Sequence, residues 1–201
     1  MLNINGVTRK WRIVLEIRTL SVIFSVWKIT LVREEIGNMQ VVTKLFLEQL
    51  DMHCHENEWF ASMNQALQGV TAAEAARTSS ENINSIWQIV NHLIFWNEDV
   101  IYRIKGTENP RKPESNEETF GNQGNPEDEI GWNKTVQRLN EVMNELKTVI
   151  AGLEDEKLKN LYAPDRYSIE RLLSNIMMHN SYHIGQIVLL RKFQSSWESI
   201  W

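Results

Sequence analysis

Cysteine is nearly missing from this sequence: Cys54 is the only one among 201 residues. No internal disulfide can form, so the chain suits a reducing compartment and is expected to be cytoplasmic. Proline and glycine are sparse too, 4 and 9 residues, and they gather in a few places. The long stretches between them carry helical periodicity, and no alternation bounded by turn residues marks a strand. The expected class is all-α. A basic excess is missing as well. With 21 Lys and Arg against 26 Asp and Glu, the formal net charge is −5 and the cations are scattered. Nucleic-acid binding needs a basic stripe that displaces phosphate counterions, so no nucleic-acid partner is expected. Nor is a membrane partner expected. The apolar run at 19–27 (TLSVIFSVW) falls far short of the ~20 residues a membrane span needs, and Arg18 and Lys28 bracket it.

Residues 1–38 differ from the rest. Arg9, Lys10, Arg12 and Arg18 precede the short apolar run as in a signal peptide, but no small-x-small cleavage site follows. Arg33-Glu34-Glu35 can be encoded AGG-GAG-GAG, a ribosome-binding sequence, shortly before Met39. This reads as a non-native leader, with the domain occupying 39–201. An extra N-terminal helix is the alternative.

From residue 40 onward the periodicity predicts four helices. The first runs over about 41–68 on a stripe of Phe46, Leu50, Phe60 and Leu67, widened by Leu45, Met52, Trp59 and Met63, with Gly69 as its stop. Thr71 to Glu74 is a capping-box pattern for a further short turn. The second helix starts near Ser85, with Gln88 completing a capping box, and ends at Gly106. Residues 107–131 then form the longest polar stretch, a connection expected to be a crossover that lets the third helix run parallel to the second. The third helix covers about 131–151. The fourth begins at Ser168, a good N-cap, and continues to about Phe193.

The fourth helix carries the chemistry. Its core stripe reads Ile169, Leu172, Ile176, His179, His183, Ile187, Leu190, so two histidines interrupt an apolar face. At i and i+4 they lie one above the other and can converge on one ion. Gly185 is expected to let a neighbouring helix approach, and Gln186 to orient a ligand or a water. On the second helix His92, flanked by Ile89, Phe95 and Trp96, also points inward. Three buried imidazoles are costly unless partnered, and a divalent ion at ~2.0–2.1 Å satisfies all three. The pattern is not H-E-x-x-H, because Asn180 stands where glutamate is required. Two Glu-x-x-His pairs are missing, which disfavours a di-iron centre.

The segments SIWQIVNHLIFWN (85–97) and YSIERLLSNIMMHNSYHIGQIVLLRK (167–192) resemble the DinB-like family and its YfiT-like metal-dependent hydrolases. The likeness covers about 40–197, and H-N-S-Y-H-I-G-Q-I is its most specific part. It implies an up-down-down-up four-helix bundle, a homodimer, and nickel, zinc or a similar divalent metal on His92, His179 and His183. Gln186, Trp96 and Asn97 are expected to support these ligands. Some members of the family are low-molecular-weight-thiol transferases, so a small thiol is a candidate cofactor.

Three readings compete, the third being a protein-interaction module whose exposed tryptophans mediate dimerisation. In the first, an open position on the ion serves water, thiol or substrate, and the protein is a hydrolase or thiol transferase acting on a small molecule. In the second, the metal is structural or vestigial in a non-catalytic stress-related bundle. No general base stands out: Glu98 and Asp99 are placed on a different side of the helix from His92. His53 is expected at the edge of the first helix's stripe, hydrogen-bonded and outside the site, and Cys54 and His55 turned away from it. Exposed tryptophans such as Trp197 and Trp201 are candidates for a dimer face. Native protein is expected to begin at Met39. Peptides from residues 11–32, detected by mass spectrometry of protein from its own cells, would overturn the leader assignment.

Overall fold

The structure, a computed structural model, describes residues 40–56, 58–78, 80, 83–162 and 167–198. The expected leader at 1–38 and Trp201 lie outside the described residues. Seven α-helices follow in order: α1 (Val41–Cys54), α2 (Met63–Leu67), α3 (Ala72–Ala75), α4 (Ile86–Ile104), α5 (Glu129–Ala151), α6 (Asp155–Leu158) and α7 (Ile169–Phe193). A 3-10 turn at Glu117–Phe120 interrupts the connection between α4 and α5. No strand occurs among the described residues, only an isolated bridge between Leu161 and Ser168. The fold is all-α, and no described helix is long and apolar enough to cross a membrane.

The capping signals read from the sequence are present. Ser85 accepts from Gln88 N while the Gln88 side chain accepts from Ser85 N, and Thr71 and Glu74 form the same reciprocal pair. Ser168 caps α7 through Arg171 N. Each satisfies backbone N–H groups that a helix start leaves without partners.

The first helix is shorter than its stripe suggests. It ends at Cys54, and α2 is a separate turn with Ser62 as its N-cap. The four residues after Cys54, at 55–58, read His-Glu-Asn-Glu in the sequence and offer no apolar side chain, so the next turn of helix would gain nothing from packing. Trp59 is consequently 99% exposed rather than part of the stripe, whereas Met63, Ala66 and Leu67 re-enter the core.

α4 is the central element. Ile86, Ile89, Val90, Leu93, Val100 and Ile101 are buried along it. Towards α5 its partners advance together along both helices: the Trp87 and Trp132 rings lie 5.3 Å apart, Glu98 meets Arg138 at 2.6 Å, and Lys105 meets Glu145 at 2.7 Å. Towards α7 they run in opposite order, with His92 beside His183 and Asn97 bonded to Asn180. α1 is tied to the far end of α5 and to α6, since Asp51 meets Lys147 at 2.5 Å and Thr43 donates to Asp155 at 2.6 Å.

The long connection is fastened along α4. Ser85 Oγ donates to Gln123 O at 2.7 Å, Asn91 Nδ2 donates to Phe120 O at 3.4 Å, and Glu98 pairs with Arg111. Gly124 lets the backbone lie directly on Trp87. Its φ is +100°, and a Cβ there would stand 2.5 Å from the indole ring. These anchors bring the 3-10 turn over the middle of α4, where His92 sits.

Candidate metal centre

His92 projects from the middle of α4, and His179 and His183 from successive turns of α7. Helical spacing stacks the latter two, with ring centroids 4.4 Å apart. The crossing of α4 over α7 supplies the third ring. His92 Nε2 and His183 Nε2 each lie 3.1 Å from His179 Nε2, and one nitrogen from each of the three rings falls within 4.8 Å of the others. His92 and His183 are buried, and His179 is partly buried.

Neighbouring groups set the state of these rings. Thr119 donates its hydroxyl hydrogen to Asn116 O, so at 2.5 Å its oxygen accepts from His92 Nδ1. Gln186 Oε1 accepts from His183 Nδ1 at 2.6 Å, while Gln186 Nε2 donates to Tyr182 OH. With the proton on Nδ1, the Nε2 atoms of His92 and His183 carry lone pairs, and both face His179. His179 can donate from Nε2 towards only one of them. Its Nδ1 is buried without a partner. Such a lone-pair cluster is unfavourable by itself and suits a Lewis acid. Two imidazoles bound tetrahedrally at about 2.05 Å would place their nitrogens roughly 3.3 Å apart, close to the observed separation. The donor set therefore fits a divalent ion.

Burial holds all three rings neutral. It pushes His92 down to about 3, with repulsion from His183 and His179 adding to the effect. It pushes His179 down to about 4, again with a contribution from His183. His183 is lowered by burial as well, against the opposing bond to Gln186. At neutral pH every lone pair is available to a metal.

The rings open on a cavity of about 860 Å³, walled by α4, α7, the 3-10 turn and the segment leading into α7. Trp96 lines it and stands edge-on to His92 at 6.2 Å, as expected of a supporting residue. Gln186 takes its expected place on His183. Asn97 does not. It forms a reciprocal amide pair with Asn180, at 2.9 and 3.0 Å, both residues fully buried away from the cavity. Asp99 corrects a second expectation. Seven residues turn a helix through about 700°, almost two full turns, so Asp99 shares the face of His92 and lines the cavity. Glu98 points elsewhere, to Arg111 and Arg138. Gly185 also departs from expectation, being exposed with nothing within 4 Å of an added Cβ.

His53 lies outside the centre, bonded to Gln49 O and Ser181 Oγ. Cys54 is buried in the core, and burial pushes its thiol up to about 12, so it is unreactive. Thr119 and Phe120 were not foreseen. The Phe120 ring stacks on His92 at 3.9 Å with an interplanar angle of 9°. The available signal was Phe120 itself, the only aromatic residue between Tyr102 and Trp132.

The neutral imidazoles make stability depend on pH. Unfolded histidine takes up a proton near 6.5, whereas folded His179 and His92 resist until about 4 and about 3. The unfolded state thus binds more protons across that window, and stability falls as pH falls through it. In metal-free protein the urea midpoint is expected to drop between pH 6.5 and 4, and to drop less in His92→Gln. Equal slopes in the two proteins would contradict the burial of neutral rings.

The family model of the DinB superfamily matches residues 56–187. No curated protein matches the chain. The matched span exceeds half of the sequence and includes His92, His179 and His183, and the chain belongs to the DinB superfamily.

Proposed function

We propose that His92, His179 and His183 hold one divalent metal ion and that the protein is a metal-dependent enzyme, a hydrolase or a low-molecular-weight-thiol transferase acting on a small molecule. One observation carries this reading: three imidazole nitrogens, one from each ring, converge at the wall of an 860 Å³ cavity rather than in a sealed core. Such an ion, nickel, zinc or similar, lowers the pKa of a water or thiol placed beside it. The protein's own groups prepare the site. Thr119 and Gln186 fix which ring nitrogens face inward, and Phe120 holds the His92 plane. Trp96, Leu172 and Ile176 give the cavity an apolar wall that limits water. A purely structural site would call for a fourth protein ligand, and among the described residues the cluster contains three.

The same reading places the domain at 39–201, in the cytoplasm, with the long helices α1, α4, α5 and α7 running up, down, down and up. The matched order of α4 and α5 contacts and the reversed order of those between α4 and α7 support this topology. It also makes the protein a homodimer. Met178, Tyr182, Leu189 and Phe193 form an exposed apolar stripe on α7, and exposed Gly185 lies between them, where a second helix could approach closely. Sedimentation giving only monomer at micromolar concentration would remove the dimer from this reading.

Elemental mass spectrometry is the direct test of the metal. Protein purified without a histidine tag is expected to carry about one ion per chain, and the His179→Ala/His183→Ala variant essentially none. Wild-type protein that remains metal-free after exposure to nickel and zinc would overturn the proposal.

A further inference from the structure

The cavity has a second polar pole, away from the histidines. Arg103 and Asp99 lie on the α4 wall and are joined by an ion pair, Nε to Oδ2 at 2.5 Å. Arg103 Nη1 also donates to Tyr162 OH at 3.3 Å, and the guanidinium lies 5.2 Å from the centre of the Tyr162 ring. These contacts fix the plane of the guanidinium. Its Nη2 has no partner among the described residues. Arg103 remains 36% exposed at its side chain, whereas Asp99 is 13% exposed, so the pair offers more donor than acceptor to the cavity. Among the described side chains lining the cavity, Arg103 is the one full cation and Asp99 the one carboxylate.

We infer that Arg103 is the substrate-recognition residue of this cavity, binding the carboxylate of a small molecule whose apolar body lies along Trp96, Leu172 and Ile176. The inference rests on the proposed function for what happens at the histidine end, but recognition at Arg103 does not need the ion. Asp99 and Tyr162 are positioning residues that aim the guanidinium. Arg103 is eleven residues beyond His92, but its side chain folds back onto Asp99, seven residues beyond, or about 10 Å along the axis. A ligand reaching both poles therefore carries its anionic group roughly 8–10 Å from the atom placed at the histidines. A fixed guanidinium suits a planar carboxylate, and partial burial strengthens the bond. The chain as a whole is acidic at −5, so an anion is drawn to this local donor rather than to the general surface.

The test uses metal-free full-length protein and three probes of one shape: 4-phenylbutyrate, 4-phenylbutan-1-ol and 4-phenylbutylamine, titrated by calorimetry. The carboxylate is expected to bind about tenfold or more tighter than the alcohol, and the amine no tighter than the alcohol. In R103Q the carboxylate should fall to the affinity of the alcohol, with the alcohol unchanged. R103K, which keeps the charge without the planar fork, should show a reduced preference, and it serves if R103Q loses helix content by circular dichroism. Equal binding of acid and alcohol, tighter binding of the amine, no binding of any probe, or a preference undiminished in the variants would each overturn the inference. Because no ion is present, the result stays separate from the metal measurement: a protein that binds no metal could still show the preference, and a metalloprotein could lack it.

Discussion

Three neutral imidazoles share a small volume inside a helical core, and much of the surrounding architecture compensates for that. Burying a polar ring without a partner costs several kcal/mol in the least forgiving reference states. Here each Nδ1 of His92 and His183 is supplied with an acceptor, and the remaining lone pairs are turned toward one point. The residual frustration sits on His179, whose Nδ1 is buried without a partner. The core around the cluster is otherwise apolar, with Leu93, Leu139, Leu146, Leu173 and Ile187 fully buried.

The connection between α4 and α5 belongs to the site as much as the helices do. A span of this length must be held somewhere, and polar residues of α4 hold it against their own helix. Ser85, Asn91 and Glu98 lie on the side of α4 that receives the returning chain, and together they bring Thr119 and Phe120 onto His92. Stiffness is lent from the other direction by Trp132, which donates to Val70 O at 2.6 Å and packs on Trp87 beneath Gly124. The crossover thus works as a structural brace that also supplies a hydrogen-bond acceptor to one proposed ligand.

Polarity in the cavity is divided between its ends. The histidine pole is neutral without an ion, and the Arg103–Asp99 pole is a fixed, partly exposed ion pair. The wall between them is largely apolar, apart from neutral amides and tyrosine hydroxyls. A concave, mostly apolar space with a few oriented polar groups is the usual form of a small-molecule site. The buried Asn97–Asn180 pair lies behind this wall and joins α4 to α7 near the histidines. Those bonds fix the axial register of the two helices, on which the convergence of the rings depends.

The all-α class, the cap residues and the three histidines were legible in the sequence, because they depend on periodicity and local backbone chemistry. A cap needs only a side chain and an N–H three residues away, and an i, i+4 pair shares a face in any helix. Asp99 was misplaced on another side of the helix, although its seven-residue spacing from His92 returns it to the same face. The long first helix misled because its stripe continued in register past a polar turn that tertiary packing leaves outside the core. Thr119 reaches His92, and Phe120 the cavity, through the path of the crossover, whereas Tyr162 comes from the segment leading into α7 and Arg103 reaches the cavity by the fold-back of its side chain. Asn97 left the site because a buried amide on α7 offered it a complete partner. Helical spacing along the chain therefore determined which residues share a face, whereas contacts between segments far apart in sequence decided which faces meet, because those depend on where the chain returns.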